Sequence, residues 1–273
     1  MSENGWEPTR LYTDQDMVAS ELLEIGVGLL AVYSSRSPEK TTPNEDAAAV
    51  IRSDAESGLL AVADGLGGAA SGQHAASLAL GALKTAVEAR VREQATLRTA
   101  ILDGIEAANQ AVVAMGVGAG TTLAVVEIQG TTVRPYHVGD SMILVVGQRG
   151  KIKLRTTSHS PVGLAVEAGF LDAEQAMYHE DRHLVSNVIG SPEMKIEIGP
   201  TIQLAPRDTV VLASDGLVDN LYAEEIVDRI RKGRLDRAAD RLAVDARRRM
   251  TRPEAGLPSK PDDLTFVLFR RRV

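Results

Sequence analysis

Short apolar runs bounded by Gly, Ser and Asp alternate along the chain with longer stretches in which apolar residues recur every three or four positions. Ile25 to Tyr33 and Leu59 to Ala63 are too short for helices and are expected as strands, with Asp46 to Arg52 a further candidate. From Ser71 to Arg92 the residues Ala75, Leu78, Ala79, Ala82, Leu83 and Ala86 share a helical face, and Leu97 to Met115 repeats the pattern, predicting two successive helices. After the Gly116 to Gly120 break come four strand candidates, Thr121 to Ile128, Val133 to Val138, Met142 to Val146 and Lys151 to Arg155. Their short Gly-containing links imply antiparallel pairing, because a parallel return needs a long crossover. Residues 156–193 read as an irregular, flap-like segment with one short helix around Asp172 to Met177. Strands are expected again at Lys195 to Leu204, Asp208 to Ala213 and Leu264 to Phe269, with helices at Ala223 to Ile230 and Leu235 to Thr251. The order predicts an α+β fold: one domain over residues 25–273 with helices packed outside antiparallel strands, preceded by an N-terminal extension over residues 1–24.

Composition narrows the function classes. The 273 residues include no cysteine, which excludes a disulfide framework, a thiolate zinc site and a cysteine nucleophile together. Aromatic residues make up 3%, and the formal net charge is -7, so nucleic acid is not an expected partner. The acidic residues Glu3, Glu7, Asp14, Asp16 and Glu21 do not suit a targeting peptide, and the longest apolar run, Ile25 to Val32, falls short of the roughly 20 residues of a membrane helix. A cytoplasmic protein without a membrane span is the expectation.

The informative residues are acidic and sit at strand termini. Asp46 opens a strand, Asp64 and Asp215 end strands, Asp140 occupies a turn, and Asp262 and Asp263 precede the last strand. A carboxylate beside an apolar strand is costly to desolvate unless a cation or donor compensates it. Any one of these residues alone reads as a cap or turn former. Converging, they would repel one another, and oxygen ligands select hard dications such as Mg²⁺ or Mn²⁺.

Asn44-Glu45-Asp46, Val62-Ala63-Asp64-Gly65-Leu66-Gly67-Gly68, Gly120-Thr121-Thr122, His137-Val138-Gly139-Asp140-Ser141, Ala213-Ser214-Asp215-Gly216-Leu217 and Asp262-Asp263-Leu264-Thr265 occur in that order. They resemble the successive motifs of the metal-dependent Ser/Thr protein phosphatases, the type 2C or PPM family, from Asn44 to the C-terminus. The resemblance implies a central sandwich of two antiparallel sheets flanked by helix pairs, with a binuclear Mn²⁺ or Mg²⁺ site at one edge. It makes Asp64 the carboxylate bridging both ions, the carbonyl of Gly65 a ligand of one, and Asp215 and Asp262 ligands of one ion. Asp46, with Glu45 beside it, falls on the second-metal side, and Asp140 and Asp219 resemble the positions that bind a third ion in some members. The implied catalytic set is Asp64, Asp215 and Asp262, and the implied reaction is in-line attack of a metal-bridged hydroxide on phosphoserine or phosphothreonine of a protein substrate. A partner Ser/Thr kinase in the same pathway is implied as well.

The chain departs from that pattern in places. Where many members carry an Arg to grip the substrate phosphate, the stretch is Pro38-Glu39-Lys40-Thr41-Thr42-Pro43, leaving Arg36 or Lys40 as substitutes. Leu66 stands where some members carry a histidine, and Met142 where an Arg commonly follows Gly-Asp-Ser. His74, His137, His159, His179 and His183 read as packing or surface residues. The clusters Arg247-Arg248-Arg249 and Arg270-Arg271-Arg272 close a helix and follow a strand, an ordinary placement for cations, with docking of an acidic partner as the alternative. Two rival functions differ in class. Gly65-Leu66-Gly67-Gly68-Ala69-Ala70 formally matches a dinucleotide fingerprint, but Asp64 would face the pyrophosphate, and a second helix follows instead of a parallel strand. A phosphatase fold serving as a weak or inactive binding module is opposed by the retention of Asp64, Asp215 and Asp262.

Overall fold

The computed structural model describes residues 9–272. Its strands are β1 (Arg10–Thr13), β2 (Glu21–Ile25), β3 (Gly28–Ser35), β4 (Asp46–Arg52), β5 (Ser57–Leu66), β6 (Gly120–Thr121), β7 (Leu123–Gln129), β8 (Thr132–Val138), β9 (Met142–Val146), β10 (Ile152–Arg155), β11 (Glu197–Ile198), β12 (Ile202–Gln203), β13 (Thr209–Ala213) and β14 (Leu264–Arg271). The helices are α1 (Ala69–Arg92), α2 (Leu97–Val113), α3 (Pro161–Glu167), α4 (Ala173–Met177), α5 (Asp215–Val218), α6 (Ala223–Ile230) and α7 (Leu235–Thr251), with a 3-10 turn at Glu180–His183.

Among the described residues the strands form two sheets. One runs β1-β4-β5-β7-β8-β11, with β6 on β5 and β12 on β8; the other runs β10-β9-β13-β14-β3-β2. Every strand pair is antiparallel, including both neighbours of β5, so the strand ahead of the glycine-rich turn lacks the parallel partner a dinucleotide fold requires.

The sheets face each other across a layer built from alternate residues. Ala48, Val50, Leu60, Val62, Ala124 and Val126 from one sheet meet Leu30, Val32, Ile143, Val145, Val210 and Leu212 from the other. The intervening residues point outward, where α1 and α2 cover the first sheet and α6 and α7 the second. Burial on both faces is why these strands read as continuous apolar runs instead of alternating ones. Alanines on both sides, Ala47, Ala49, Ala61 and Ala63 against Ala75, Ala76 and Ala79, line the interface between α1 and its sheet.

Three expectations need correction. The stretch taken as an extension contains β1, which pairs with β4, and β2, which pairs with β3; each is an edge strand. Edge strands are half covered, so Arg10-Leu11-Tyr12-Thr13 and Glu21-Leu22-Leu23-Glu24-Ile25 carry too much polar character to stand out. Leu11 is exposed, whereas Tyr12 and Leu23 are buried. Lys195 to Leu204 is two separate two-residue strands, β11 and β12, because Gly199-Pro200 interrupts the ladder. The flap holds α3 as well as α4, the former opened by Ser160, whose hydroxyl accepts from the Gly163 N–H, followed by Pro161 at the first helical position.

Register alone then brings the acidic residues to one end of the sandwich. Ala213, the last residue of β13, pairs with both Met142 at the start of β9 and Phe266 near the start of β14. Asp140, Asp215 and Asp262 therefore flank adjoining strand ends. In the facing sheet Asp46 opens β4 directly opposite Asp64 in β5.

Candidate active site

Asp46, Asp64, Asp140, Asp215 and Asp262 gather where the two sheets meet. Asp46 is 2% exposed and accepts from Ser214 Oγ at 2.7 Å, while its N–H donates to Asn44 Oδ1 at 2.9 Å. Asp64 is held by its backbone: its N–H donates to Thr122 Oγ1 at 3.0 Å and its carbonyl accepts from Thr121 Oγ1 at 2.8 Å. Thr122 Oγ1 in turn lies 2.7 Å from Ser141 Oγ, which ties Asp64 to the turn carrying Asp140. The Gly-Thr-Thr and Gly-Asp-Ser motifs thus position the carboxylates through hydroxyl contacts.

Electrostatics describe a strained cluster. Burial, then the charges of Asp46, Asp215, Asp262 and Asp140, hold the Asp64 carboxyl well above the usual carboxylate range. Burial and the charges of Asp263, Asp262 and Asp215 raise Asp46 likewise, and the hydrogen bond from Ser214 offsets this only in part. Asp140 is pushed up to about 7 by burial and Asp215, and Asp262 to about 6 by the same two causes. Asp215 is raised by burial against the opposing pull of Lys260.

Lys260 has no counterpart in the sequence reading. Its ammonium lies 2.5 Å from Asp215 Oδ2 and 3.0 Å from both Asp219 Oδ2 and Asp262 Oδ2. Burial works against this charge, but Asp215, Asp219 and Asp262 outweigh it and raise the pKa. Asn220 clamps its backbone, donating to Lys260 O at 2.8 Å and accepting from Lys260 N at 2.9 Å. Arg182 of the flap comes within 4.0 Å of Asp219 from the other side.

The remaining candidates fall nearby but differ in setting. Glu45 Oε2 pairs with Lys40 Nζ at 2.8 Å, and Lys40 also reaches Asp263 Oδ2 at 2.5 Å. Asp263, 3% exposed, further accepts from the Ser37 and Glu45 backbones, so it orders the loop from β3 to β4. Arg36 instead pairs with Asp16 at 2.7 Å on the surface. Gly65 is required by packing: a Cβ there would strike the carbonyl of Gly72 in the first turn of α1 and crowd that of Glu45.

His137, His159 and Glu197 form a separate group whose ligand atoms lie within 4.8 Å of one another. The rings of His137 and His159 stack with centroids 4.3 Å apart. His159 Nδ1 accepts from the Gly139 N–H at 3.1 Å and from Asn187 Nδ2 at 2.9 Å, which leaves the proton on Nε2, facing Glu197 Oε2 at 3.0 Å. That tautomer offers no lone pair toward Glu197, so the group serves as a clip holding the flap to the turn before Asp140.

A set of oxygen donors alone, several of them raised by burial and mutual repulsion, suits hard divalent cations. Beside the cluster a cavity of about 330 Å³ opens under the flap, with Asp140, Asp215 and Asp219 on one wall and Met142, Val162 and Val166 on another.

Residues 36–248 match the protein phosphatase 2C family model. The chain belongs to the protein phosphatase 2C family. Protein phosphatase PhpP of Streptococcus pneumoniae is 32% identical over 200 residues, covering 70% of this chain and 79% of that protein. Among solved structures, the Mycobacterium tuberculosis serine/threonine phosphatase PstP/Ppp superposes with a TM-score of 0.73 at 26% identity, over 89% of this chain and 98% of that one. The PstP catalytic domain in complex with two manganese ions gives a TM-score of 0.70 at 25% identity, over 89% and 98%. The two-sheet sandwich with outer helices is thus the protein phosphatase 2C fold.

One consequence is measurable without any ion. Asp140 and Asp262 hold protons in the folded chain at pH values where the unfolded chain has released them, so they make the stability of the metal-free protein fall as pH rises from about 4, the unfolded value, through their folded values of about 6 and about 7. His137, whose pKa burial lowers, acts in the opposite sense below neutrality. Thermal melts of the wild type and Asp140→Asn across about pH 4 to 8 separate the contributions: the loss up to about pH 7 is expected to shrink in the variant, and both are expected to level off above it. An unchanged pH dependence would show that Asp140 titrates normally.

Proposed function

We propose that this chain hydrolyses phosphoserine and phosphothreonine in phosphoproteins with two divalent ions, Mn²⁺ or Mg²⁺, held by Asp46, Asp64, the carbonyl of Gly65, Asp215 and Asp262. The observation that carries this reading is the set of raised carboxyls at adjoining strand ends, a cluster whose repulsion a pair of dications relieves. The manganese pair of the related PstP domain supports the count.

When bound, such ions polarise phosphoryl oxygens and bring the pKa of water toward neutrality. Asp64 feels the charges of Asp46, Asp215, Asp262 and Asp140 at once, which is why we assign it to both ions. Asp46 is fixed for its part by Ser214, and Glu45 stays beside it against Lys40. Lys260 and Arg182 bring positive charge to Asp219, the position of a third ion with Asp140 in some relatives, so we assign two ions to this chain. Lys40 is retained as the basic group for substrate phosphate because its pairing with Glu45 and Asp263 holds it beside Asp46 and Asp262, whereas Arg36 pairs with Asp16 on the surface. The cavity under the flap is lined by Asp140 and Asp215, and we assign the substrate side chain to it.

A protein phosphorylated with ATP implies a Ser/Thr kinase in the same compartment, and we place both in the cytoplasm. Among the described residues no helix is long and apolar enough to cross a membrane. Hydrolysis of matched phosphoserine, phosphothreonine and phosphotyrosine peptides, with Mn²⁺, with Mg²⁺ and with a chelator, tests the proposal. Release of phosphate from the first two only when a dication is supplied is expected; no metal-dependent release would refute it.

A further inference from the structure

At the opposite end of the second sheet from the carboxylates lies a strongly basic basin. β14 begins at Leu264, two residues after Asp262, and its eight residues end at Arg271, which places the basin about 25 Å from the carboxylates along an extended strand. The cavity there is about 390 Å³, and seven of its eleven lining residues are Arg or Lys. In a chain of net charge -7 this is a marked local excess.

Pairing does not cancel it. Arg231, Arg234 and Arg272 have acidic partners in Asp228, Asp236 and Glu24. Among the described residues, Arg207, Lys232, Arg270 and Arg271 have none. The nearby Asp208 turns instead to Lys153. Arg270 donates to neutral acceptors only, Thr209 Oγ1 at 3.0 Å and the carbonyls of Gly233 and Ile230, and Arg271 donates to the carbonyl of Leu204. Among the described residues, four cations therefore share one cavity without an acidic partner.

Arg207 adds a second, independent observation. It sits at φ 68° in the turn closed by the Asp208 N–H on Ala205 O, a left-handed position that favours glycine. An exposed arginine there carries a conformational cost, as Asp14, Glu39 and Gln94 do elsewhere, and of these four only Arg207 lines this basin.

We propose that the basin binds a small oligophosphate through Arg207, Lys232, Arg270 and Arg271. Guanidinium groups present paired donors matched to phosphate oxygens, and four uncompensated cations suit an anion of several charges. The cavity has the size of a small-molecule site, and its non-basic lining, Leu29, Gln148, Gly233 and Leu235, offers no aromatic face for a nucleobase. The phosphate chain is thus the recognised part, whether it arrives as inorganic polyphosphate or on a nucleotide.

Calorimetric titration of the metal-free full chain with orthophosphate, pyrophosphate, tripolyphosphate and ATP tests this, because without dications the carboxylate cluster repels anions. One saturable site is expected, about tenfold tighter for tripolyphosphate than for orthophosphate, with ATP within about threefold of tripolyphosphate. Arg207→Gly relieves the left-handed strain, so its melting temperature is expected to hold or rise while tripolyphosphate affinity falls about tenfold. Lys232→Gln, an exposed change, is expected to weaken binding about threefold. No saturable tripolyphosphate binding by about 1 mM, unchanged affinity in folded Arg207→Gly, or ATP binding more than about tenfold tighter than tripolyphosphate would each overturn the proposal.

Discussion

Asp64→Asn is expected to lower kcat/KM on a phosphothreonine peptide by at least about 10³-fold while leaving the protein folded. The loss follows from the position of Asp64, which faces Asp46 across the β4–β5 ladder and feels Asp215 and Asp262 from the other sheet. An amide is a poor ligand for a hard dication, and it cannot supply the negative charge that two ions share. Folding is protected because the contacts that position residue 64 run through its backbone, to Thr122 Oγ1 and Thr121 Oγ1, and survive the substitution. The metal-free variant is expected to melt higher than the wild type, by on the order of 5 °C, because a carboxyl whose ionisation the folded site disfavours is replaced by a neutral amide. Steady-state kinetics and thermal melts with and without Mn²⁺ check both halves. Activity within about tenfold of wild type would remove Asp64 from the reaction.

Lys260→Gln is expected to act in the opposite direction on the metal-free chain. The Lys260 ammonium touches Asp215, Asp219 and Asp262 together, and Asn220 fixes the backbone from which it reaches them. Without it those carboxylates face one another, and breaking a partly buried charge pair of this kind costs about 3 kcal/mol, a drop on the order of 10 °C in melting temperature. Manganese and the ammonium compete for oxygens of Asp215 and Asp262, so the variant is expected to bind Mn²⁺ about tenfold more tightly by calorimetry. The stabilisation by saturating Mn²⁺ then exceeds that of the wild type. Equal metal-free melting temperatures would show that Lys260 carries no part of the charge balance.

How much of this was legible in the sequence depends on what each residue has to do. The strands Asp46–Arg52 and Met142–Val146 and the helices Ala223–Ile230 and Leu235–Thr251 have the bounds expected of them, because each carries a full apolar run or a full helical stripe. β1 and β2 escaped notice because an edge strand needs only one covered face, and α3 because Gly163 within it and Gly169 just beyond it read like a loop. The acidic residues of the site were visible from their placement at strand ends, since an acid there needs a reason. Lys260 was not. A lysine between Ser259 and Pro261 looks like any solvated loop charge, and only the register of β13 on β14 turns it toward Asp215. The same limit applies to Asp263, Asn220 and the His159 clip, whose partners are distant in sequence and brought close by the two sheets. Arg270-Arg271-Arg272 read as an ordinary strand terminus until the loops around Arg207 and Lys232 closed a cavity over it.

The most direct measurement is anomalous diffraction at the manganese edge from a crystal soaked in Mn²⁺. Two peaks roughly 4 Å apart, with Asp64 between them and Asp46, Asp215 and Asp262 around them, are the predicted result. Density for Lys260 is then expected to have withdrawn from Asp215. Well-ordered carboxylates with no peak among them, or a peak confined to His137, His159 and Glu197, would contradict the account.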